Sequence, residues 1–320
     1  MATVSRTLNG SSLVRPATAE RVRKVVQELG YVPNSSARSL SSGKSNLFGV
    51  VISDITNPFF PELISNFESL ALKNGYEVVF ANTNYDPERL DHALRRMVER
   101  RVEGVAILTS EVHDSAITML RRQNIPVVTL QQQTVQQGSI IKVDHSVGIA
   151  EAIAHLMELG HRDIAFIAGP SDLWSARKRR DIFAAEIKRN KLTLPAEWIA
   201  ESDPRPEGGF DAMQALLKLK NRPTAIMATN DLIALGALRA INEAGLDVPR
   251  DFSIVGIDDI DLVHYVHPPL TTIRIPRPQI AECAFTTLLE NSRNPEMKKI
   301  QSNLPTQLIV RASTAAPRSN

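Results

Sequence analysis

Residues 224–258 read TAIMATNDLIALGALRAINEAGLDVPRDFSIVGID, and their pattern decides the fold. Two short apolar runs, 224–230 and 252–258, bracket a helix-length segment. Within it Leu235, Leu238 and Ile241 recur at the spacing of one helix face. Gly245 closes the segment where a helix commonly ends on a left-handed residue. Strand, helix and strand in succession are the unit from which parallel sheets are built.

The unit repeats toward the N-terminus. Apolar runs stand at 47–53 (LFGVVIS), 76–82 (YEVVFAN), 102–108 (VEGVAIL), 125–130 (IPVVTL), 139–144 (SIIKVD) and 163–169 (DIAFIAG). Between most of them lies a helix-length stretch, as where Phe60, Leu63, Ile64, Phe67 and Leu70 mark one face. Glycine ends helices in one style at ELG-Tyr31, KNG-Tyr76, ELG-His161 and EAG-Leu246. The polar break Gln131–Gly138 and the restart at Ser139 favour two sheets over one. The expected class is α/β, with parallel sheets covered on both faces.

Length and composition agree: 320 residues, 43% of them hydrophobic, suffice for two or three domains with a sizeable core. A single cysteine, Cys283, excludes an internal disulfide. No signal peptide or long apolar run is visible, so the chain reads as cytoplasmic, without a membrane partner.

Residues 1–46 differ from the rest. They hold seven Lys/Arg against two Glu, net +5, in a chain whose total is +2. A basic head on a mildly acidic body suits a polyanion partner. Val22, Val25, Val26 and Leu29 form an amphipathic stripe behind Pro16, which suits a first helical position, and Gly30 suits the end. A shorter helix over Thr3–Leu8 would turn Val4 and Leu8 inward and Ser5, Arg6 and Asn9 outward. After Pro33 the run NSSARSLSSGKS is too polar to pack alone and reads as a linker ordered by a partner. Its Gly43-Lys44-Ser45 is no phosphate loop, because Arg38 stands where that motif needs glycine.

These residues carry a resemblance. TVSRTLNG, a helix ending ELGYVPN, and ARSL resemble the DNA-binding head and hinge of the lactose-repressor (LacI/GalR) family of bacterial transcription regulators. ISDITNPFF, ELGHRDIAFIAGP, SARKRR, ATNDLIALGALRAINEAGLDVPRDFSIVGIDD and PPLTTIRIP resemble its effector core, so the likeness spans the whole chain. It implies two doubly wound parallel-sheet subdomains of the periplasmic-binding-protein type I fold, joined by three crossovers, plus a small partial all-α helix-turn-helix head and hinge. Expected boundaries are 1–33 for the head, 34–45 for the hinge, 46–146 plus 277–304 for one subdomain, and 147–276 plus 305–320 for the other. The resemblance places Thr3, Ser5, Arg6 and Asn9 on phosphates and base edges, and Ala2 against bases. It assigns Asn34, Ala37 and Leu40 to the hinge on DNA, Leu40 as a minor-groove wedge. Family heads begin with a further helix, so Met1 is expected to be an internal methionine read as a start. Val4, Leu8, Val22 and Val26 would then lack their covering helix. Arg15 stands where the family usually has a hydroxyl cap, whose loss costs about 1 kcal/mol.

In open parallel sheets ligands sit beyond the carboxyl ends of the strands. That rule singles out Ser53 and Asp54 after the first run, then Asn57 capping a helix begun by Pro58. Phe60 continues the apolar stripe and reads as core; Phe59 is the better cleft candidate, offering a face to a sugar or purine. Ser175, Arg177 and Arg179 follow the run 163–169, with Trp174 open to either a cleft or a surface position. By the resemblance Arg179 points into the cleft and Ser175 adds a hydrogen bond. Asn230 and Asp231 follow 224–230, and Asp258 ends 252–258. These are expected to face Arg179 across the cleft, with Asp258 taking sugar hydroxyls as the family's aspartate does. Asp259 reads as a turn cap, and Ile275 as an apolar wall where the family is often polar or aromatic.

No nucleophile elbow or GxGxxG occurs, and His264 and His267 lack metal-ligand spacing, so neither an enzyme nor a metal or organic cofactor is expected. The reading is a homodimeric regulator that binds a pseudopalindromic operator and responds to a small-molecule effector, most often a carbohydrate in this family. Its rival is a cytoplasmic or exported sugar-binding protein with no DNA role.

Overall fold

The computed structural model describes residues 2–8, 13–31, 44–109, 112–130, 138–294 and 299–318. The readings on Asn9, Asn34, Ala37 and Leu40 lie outside them. The chain divides into two compact units, Met1–Asn46 and Leu47–Asn320.

In the first unit α1 spans Ala2–Leu8 and α2 spans Pro16–Glu28. Pro16 opens α2 as its spacing predicts, and Arg15 makes no side-chain cap bond. Thr7 is buried, its hydroxyl donating to the Thr3 carbonyl at 2.9 Å, and Ala19 of α2 is buried as well. Val4 is exposed rather than inward, at 41%, while Val25 and Leu29 stand at 50% and 75%. Two short helices present too little apolar surface to cover both stripes.

The second unit carries two six-stranded sheets. Its elements, in chain order, are β1 Leu47–Ile52, α3 Phe59–Lys73, β2 Glu77–Asn82, α4 Pro87–Glu99, β3 Gly104–Ile107, α5 Asp114–Arg122, β4 Val127–Leu130 and β5 Ser139–Asp144. They continue with α6 His145–Glu158, β6 Ile164–Ala168, α7 Trp174–Arg189, β7 Ile199–Glu201, α8 Pro206–Leu217, β8 Ala225–Ala228, α9 Asp231–Glu243 and β9 Ser253–Asp258. Last come β10 Thr271–Arg274, α10 Arg277–Arg293, β11 Gln301–Pro305 and β12 Gln307–Ile309. Sheet one runs β11-β5-β4-β3-β1-β2, all parallel; sheet two runs β12-β10-β9-β8-β6-β7, parallel except for the antiparallel β12. In each sheet the chain winds one way from the first strand and then the other, so each is doubly wound. The order reverses at β1 and at β6, and crevices for ligands open beyond the carboxyl ends of such strands.

Three segments pass between the sheets: β5 into α6, β10 into α10, and β11 into β12. Four helices close as the glycine pattern predicts. Gly30, Gly75, Gly160 and Gly245 all take positive φ. The next residue's N–H then reaches back to a carbonyl: Tyr31 to Val26, Tyr76 to Ala71, His161 to Leu156 and Leu246 to Ile241, at 2.9–3.1 Å.

Strands β7, β10, β11 and β12 escape the apolar-run reading. Three are short or half-exposed, and β10 is buried but rich in threonine (TTIR). Its polar groups are satisfied from a distance: Thr272 donates to Asp231 at 2.5 Å, and the Thr271 N–H donates to the Ser313 hydroxyl at 2.7 Å.

Candidate functional site

The carboxyl ends of both sheets meet in a cleft with about 760 Å3 of free space, its open mouth included. From sheet one come Ser53, beyond β1, whose hydroxyl donates to that of Thr109 beyond β3 at 2.7 Å. Asn57 accepts the Phe59 N–H at 3.0 Å and so caps α3 as expected. Phe59 and Phe60 both line the cleft, their rings perpendicular at 5.1 Å. Phe60 is therefore wall as well as core.

From sheet two come Ser175 and Arg179 of α7, with Thr229, Asn230 and Asp258. Arg179 donates to the Thr229 carbonyl at 2.6 Å and lies 3.6 Å from the Asp258 carboxylate. The two charges are thus neighbours on one subdomain rather than facing each other across the cleft, because β6 and β9 flank β8 in the same sheet. Asn230 accepts the Ile233 N–H at 2.7 Å, capping α9, and donates to the Pro204 carbonyl at 3.3 Å.

Asp258 holds φ at +130°, a conformation L residues rarely adopt, and strain of this kind concentrates at ligand sites. Arg277 fixes the bend by donating to the carbonyls of Asp258 at 2.6 Å and Asp259 at 2.7 Å. The same guanidinium pairs with Glu62 of α3 at 2.7 Å and lies 5.8 Å from the Phe59 ring centroid. Burial pushes the Asp258 carboxyl up to about 6, against the pull of Arg179 and Arg277 and with a further push from Glu62. Asp259 turns away to Arg274 at 2.6 Å and Arg311 at 2.5 Å. Burial alone would raise that carboxyl, but the two arginines hold it below its ordinary value. Asp54, after β1 of sheet one, and Arg205, after β7 of sheet two, approach to 3.6 Å.

Two predicted residues do not reach the wall. Asp231 lies beneath it, fully buried, accepting the Ile260 N–H at 3.0 Å and the Thr272 hydroxyl at 2.5 Å. Trp174 is half-buried at the start of α7 and off the cleft. The helix turns about 100° per residue, so Ser175 and Arg179 share a face that Trp174 does not. Arg177 instead ties the preceding loop, donating to the carbonyls of Ser171 and Asp172 at 2.7 Å. Ile275 lines the cleft as an apolar wall.

The strand-end rule, applied to every strand, also finds residues not singled out above: Thr109, Thr229 and His145, which directly follows β5. Arg277 had no such signal, since β10 was not recognised. Among the described residues, His145 Nδ1, Arg179 Nε and Thr229 Oγ1 are buried without a hydrogen-bond partner, and all three residues line the cleft. Unpaired buried polar atoms are rare in native proteins, and a cluster of them marks a place for a polar ligand. No group of three or more His, Cys, Asp or Glu is placed to hold a metal among the described residues, and none of their helices is long and apolar enough to cross a membrane.

In the other unit α1 carries Ala2, Thr3, Ser5 and Arg6, with Thr3 and Arg6 exposed.

Two doubly wound subdomains with a polar cleft between them define a small-molecule-binding core. Residues 153–314 match the periplasmic binding protein-like domain, and residues 1–34 match the bacterial regulatory proteins of the lacI family. The chain is 34% identical over 313 residues to the ribose operon repressor of Escherichia coli (strain K12), covering 97% of this chain and 95% of that one. It is 33% identical over 319 residues to the HTH-type transcriptional repressor PurR of Glaesserella parasuis serovar 5 (strain SH0165), covering 97% and 94%. A lac repressor dimer bound to operator and the anti-inducer ONPF superposes with a TM-score of 0.87 at 31% identity, covering 98% of this chain and 95% of that one. A LacI family transcriptional regulator from Enterococcus faecium with bound ribose gives 0.76 at 30% identity, covering 85% and 100%. The chain belongs to the LacI family of bacterial regulatory proteins. It is a ligand-responsive, DNA-binding transcriptional regulator rather than an enzyme.

Proposed function

We propose that this regulator is a cytoplasmic repressor whose cleft binds a sugar or sugar derivative, and that this binding alters its affinity for operator DNA. One observation carries the reading: a carboxylate, a guanidinium and three unpartnered polar atoms converge on a cleft that also offers Phe59, Phe60 and Ile275. A sugar ring has hydroxyls that both donate and accept, and C–H faces that suit apolar walls. Asp258 accepts hydroxyl protons, Arg179 and Ser175 donate, and Ser53 and Asn57 contribute from the opposite sheet. The ribose named in one similar structure and the cellobiose in another support the class.

The proposed boundaries are those expected above, 46–146 plus 277–304 and 147–276 plus 305–320. A ligand touching both sheets favours one arrangement of the subdomains over the other, which is the differential contact that coupling between two sites requires. Two copies bind a pseudopalindromic operator, a reading supported by the operator-bound lac repressor dimer. Thr3 and Arg6 contact phosphate and base edges there, with Ala2, Ser5, Asn9, Asn34, Ala37 and Leu40 assigned by family likeness alone.

Fluorescence anisotropy tests this. The chain is titrated onto a duplex from upstream of its own gene and onto an unrelated duplex, at two salt concentrations, with D-ribose, D-glucose or cellobiose added. The expected outcome is sequence-selective binding that weakens steeply with salt and shifts with one of the sugars. Asp258→Asn should abolish the shift, since a hydrogen bond to a charged group contributes about 1.5–3 kcal/mol. Equal affinity for both duplexes would sink the operator reading, and a full sugar response in the variant would sink the site.

A further inference from the structure

We infer that His145 is an effector-reading residue whose imidazole, fixed at a crossover between the two subdomains, hydrogen-bonds a hydroxyl of an uncharged effector. The inference rests on the cleft being the effector site and adds a specificity determinant and a charge class to it.

Position comes first. β5 belongs to sheet one, and α6, which His145 opens, packs against β10 and β12 of sheet two. The Asp144 side chain accepts the Ser146 N–H at 3.0 Å and caps this helix start. A second crossover is stitched to it: Thr306 donates its N–H and its hydroxyl to the Asp144 carbonyl at 3.2 and 2.8 Å, and its hydroxyl oxygen accepts the Gly148 N–H at 3.1 Å. The imidazole is thus held on a braced segment, and a ligand bound to it touches the part of the chain that joins the subdomains.

The alternative is an ordinary core histidine, and this chain contains one for comparison. His161 is 1% exposed, with Nδ1 2.8 Å from the Thr224 hydroxyl and Nε2 2.9 Å from the Ser253 hydroxyl and 2.8 Å from the Ala315 carbonyl. Both its nitrogens are satisfied. His145 is 3% exposed, yet its Nδ1 has no partner among the described residues, and it borders the cleft. Leaving such an atom unpaired is costly, and a ligand hydroxyl would supply the missing partner.

Charge sets the class. Burial foremost, with Arg179 and Lys178 adding to it, pushes the imidazole well below its ordinary value and keeps it neutral. A neutral ring has one N–H and one lone pair, matching a hydroxyl that donates and accepts. Of the two cations pressing on the ring, Arg179 stands against Asp258 at 3.6 Å. That guanidinium is already matched by a carboxylate, so a phosphate or carboxylate on the effector would have to compete with Asp258 for it.

The test uses the full chain and the variants His145→Leu, His145→Gln and His161→Leu. Without ligand, His145→Leu is expected to leave the unfolding temperature unchanged or raised, whereas His161→Leu lowers it by several degrees. Calorimetric titration then uses D-ribose, D-glucose, cellobiose and D-ribose 5-phosphate. The sugar that binds the wild type best is expected to lose tenfold or more in affinity in His145→Leu, with part regained in His145→Gln, and the phosphorylated sugar to bind more weakly than D-ribose. Unchanged affinity in His145→Leu, or tighter binding of the phosphate, overturns the inference. If no sugar binds the wild type, the carbohydrate reading fails. His145 is then decided by the unfolding data alone, and a loss matching that of His161→Leu overturns its assignment.

Discussion

Replacing Asp231 with asparagine should make the protein more stable at alkaline pH, and the size follows from the structure. The carboxyl is 0% exposed, and burial, then the charge of Asp258, push it from 3.8 up to about 7, against the hydrogen bonds from Thr272 and the Ile260 N–H. A carboxyl raised on folding favours the native state while it is protonated in both states, below about pH 4. As the pH rises the unfolded chain ionises first, and stability falls until the native carboxyl also ionises near pH 7. The full shift corresponds to about 4 kcal/mol, at about 1.4 kcal/mol per unit. Between pH 5.5 and 8 roughly half of that, about 2 kcal/mol, should be lost. Asparagine keeps both contacts: its carbonyl accepts the Ile260 N–H, and its amide donates to the Thr272 oxygen. It does not titrate. Urea unfolding at pH 5.5, 6.5, 7.5 and 8 should therefore show Asp231→Asn gaining on the wild type by about 2 kcal/mol across the series. A difference flat in pH, or one that shrinks as pH rises, would refute the reasoning, because it would mean the wild-type carboxylate is ionised throughout.

Two further outcomes are expected. Gly236 and Gly209 let α9 and α8 touch backbone to backbone, since a Cβ on Gly236 would strike the Pro206 carbonyl and one on Gly209 the Ile233 carbonyl. Gly236→Ala should cost about 3 kcal/mol, near the upper end for overpacking, read as a lowered urea midpoint with unchanged slope; an unshifted midpoint would show the helices free to part. Glu62 pairs with Arg277 at 2.7 Å, accepts the Asp261 N–H at 3.2 Å and pushes the Asp258 carboxyl up. If effector binding needs ionised Asp258, affinity should decline as pH falls through about 6. In Glu62→Gln that decline should move to lower pH, measured by calorimetry from pH 5 to 8; a midpoint that stays put or rises would contradict the assigned coupling.

The alternation of apolar runs with helix-length stretches was enough to read parallel strands covered on both faces, while the choice of two sheets over one came from the polar break before Ser139. It worked because buried parallel strands carry continuous apolar residues. Strand β10 shows where the method stops. TTIR looks like a loop until Asp231 and Ser313, 41 and 42 residues away, are seen to satisfy its threonines. The head shows the same limit. The stripe of α2 was legible, but which of its valines is covered depends on what lies opposite.

Sequence by itself therefore determined the α/β class, the helix ends at four glycines, and the family, because these rest on local periodicity, backbone conformation and contiguous motifs. Tertiary structure alone decided the chemistry of individual side chains. Asp231 and Asp258 each stand at the carboxyl end of a strand run and look equivalent in the chain. One is sealed under the floor by Thr272 and Ile260, and the other opens to the cleft beside Arg179. His145 and His161 diverge likewise, one unpaired at Nδ1 and one satisfied from residues 224, 253 and 315. Local patterning sets where the backbone goes; what a buried polar group meets there is supplied by segments far away in the chain, and that meeting fixes its protonation, its free valence and its role.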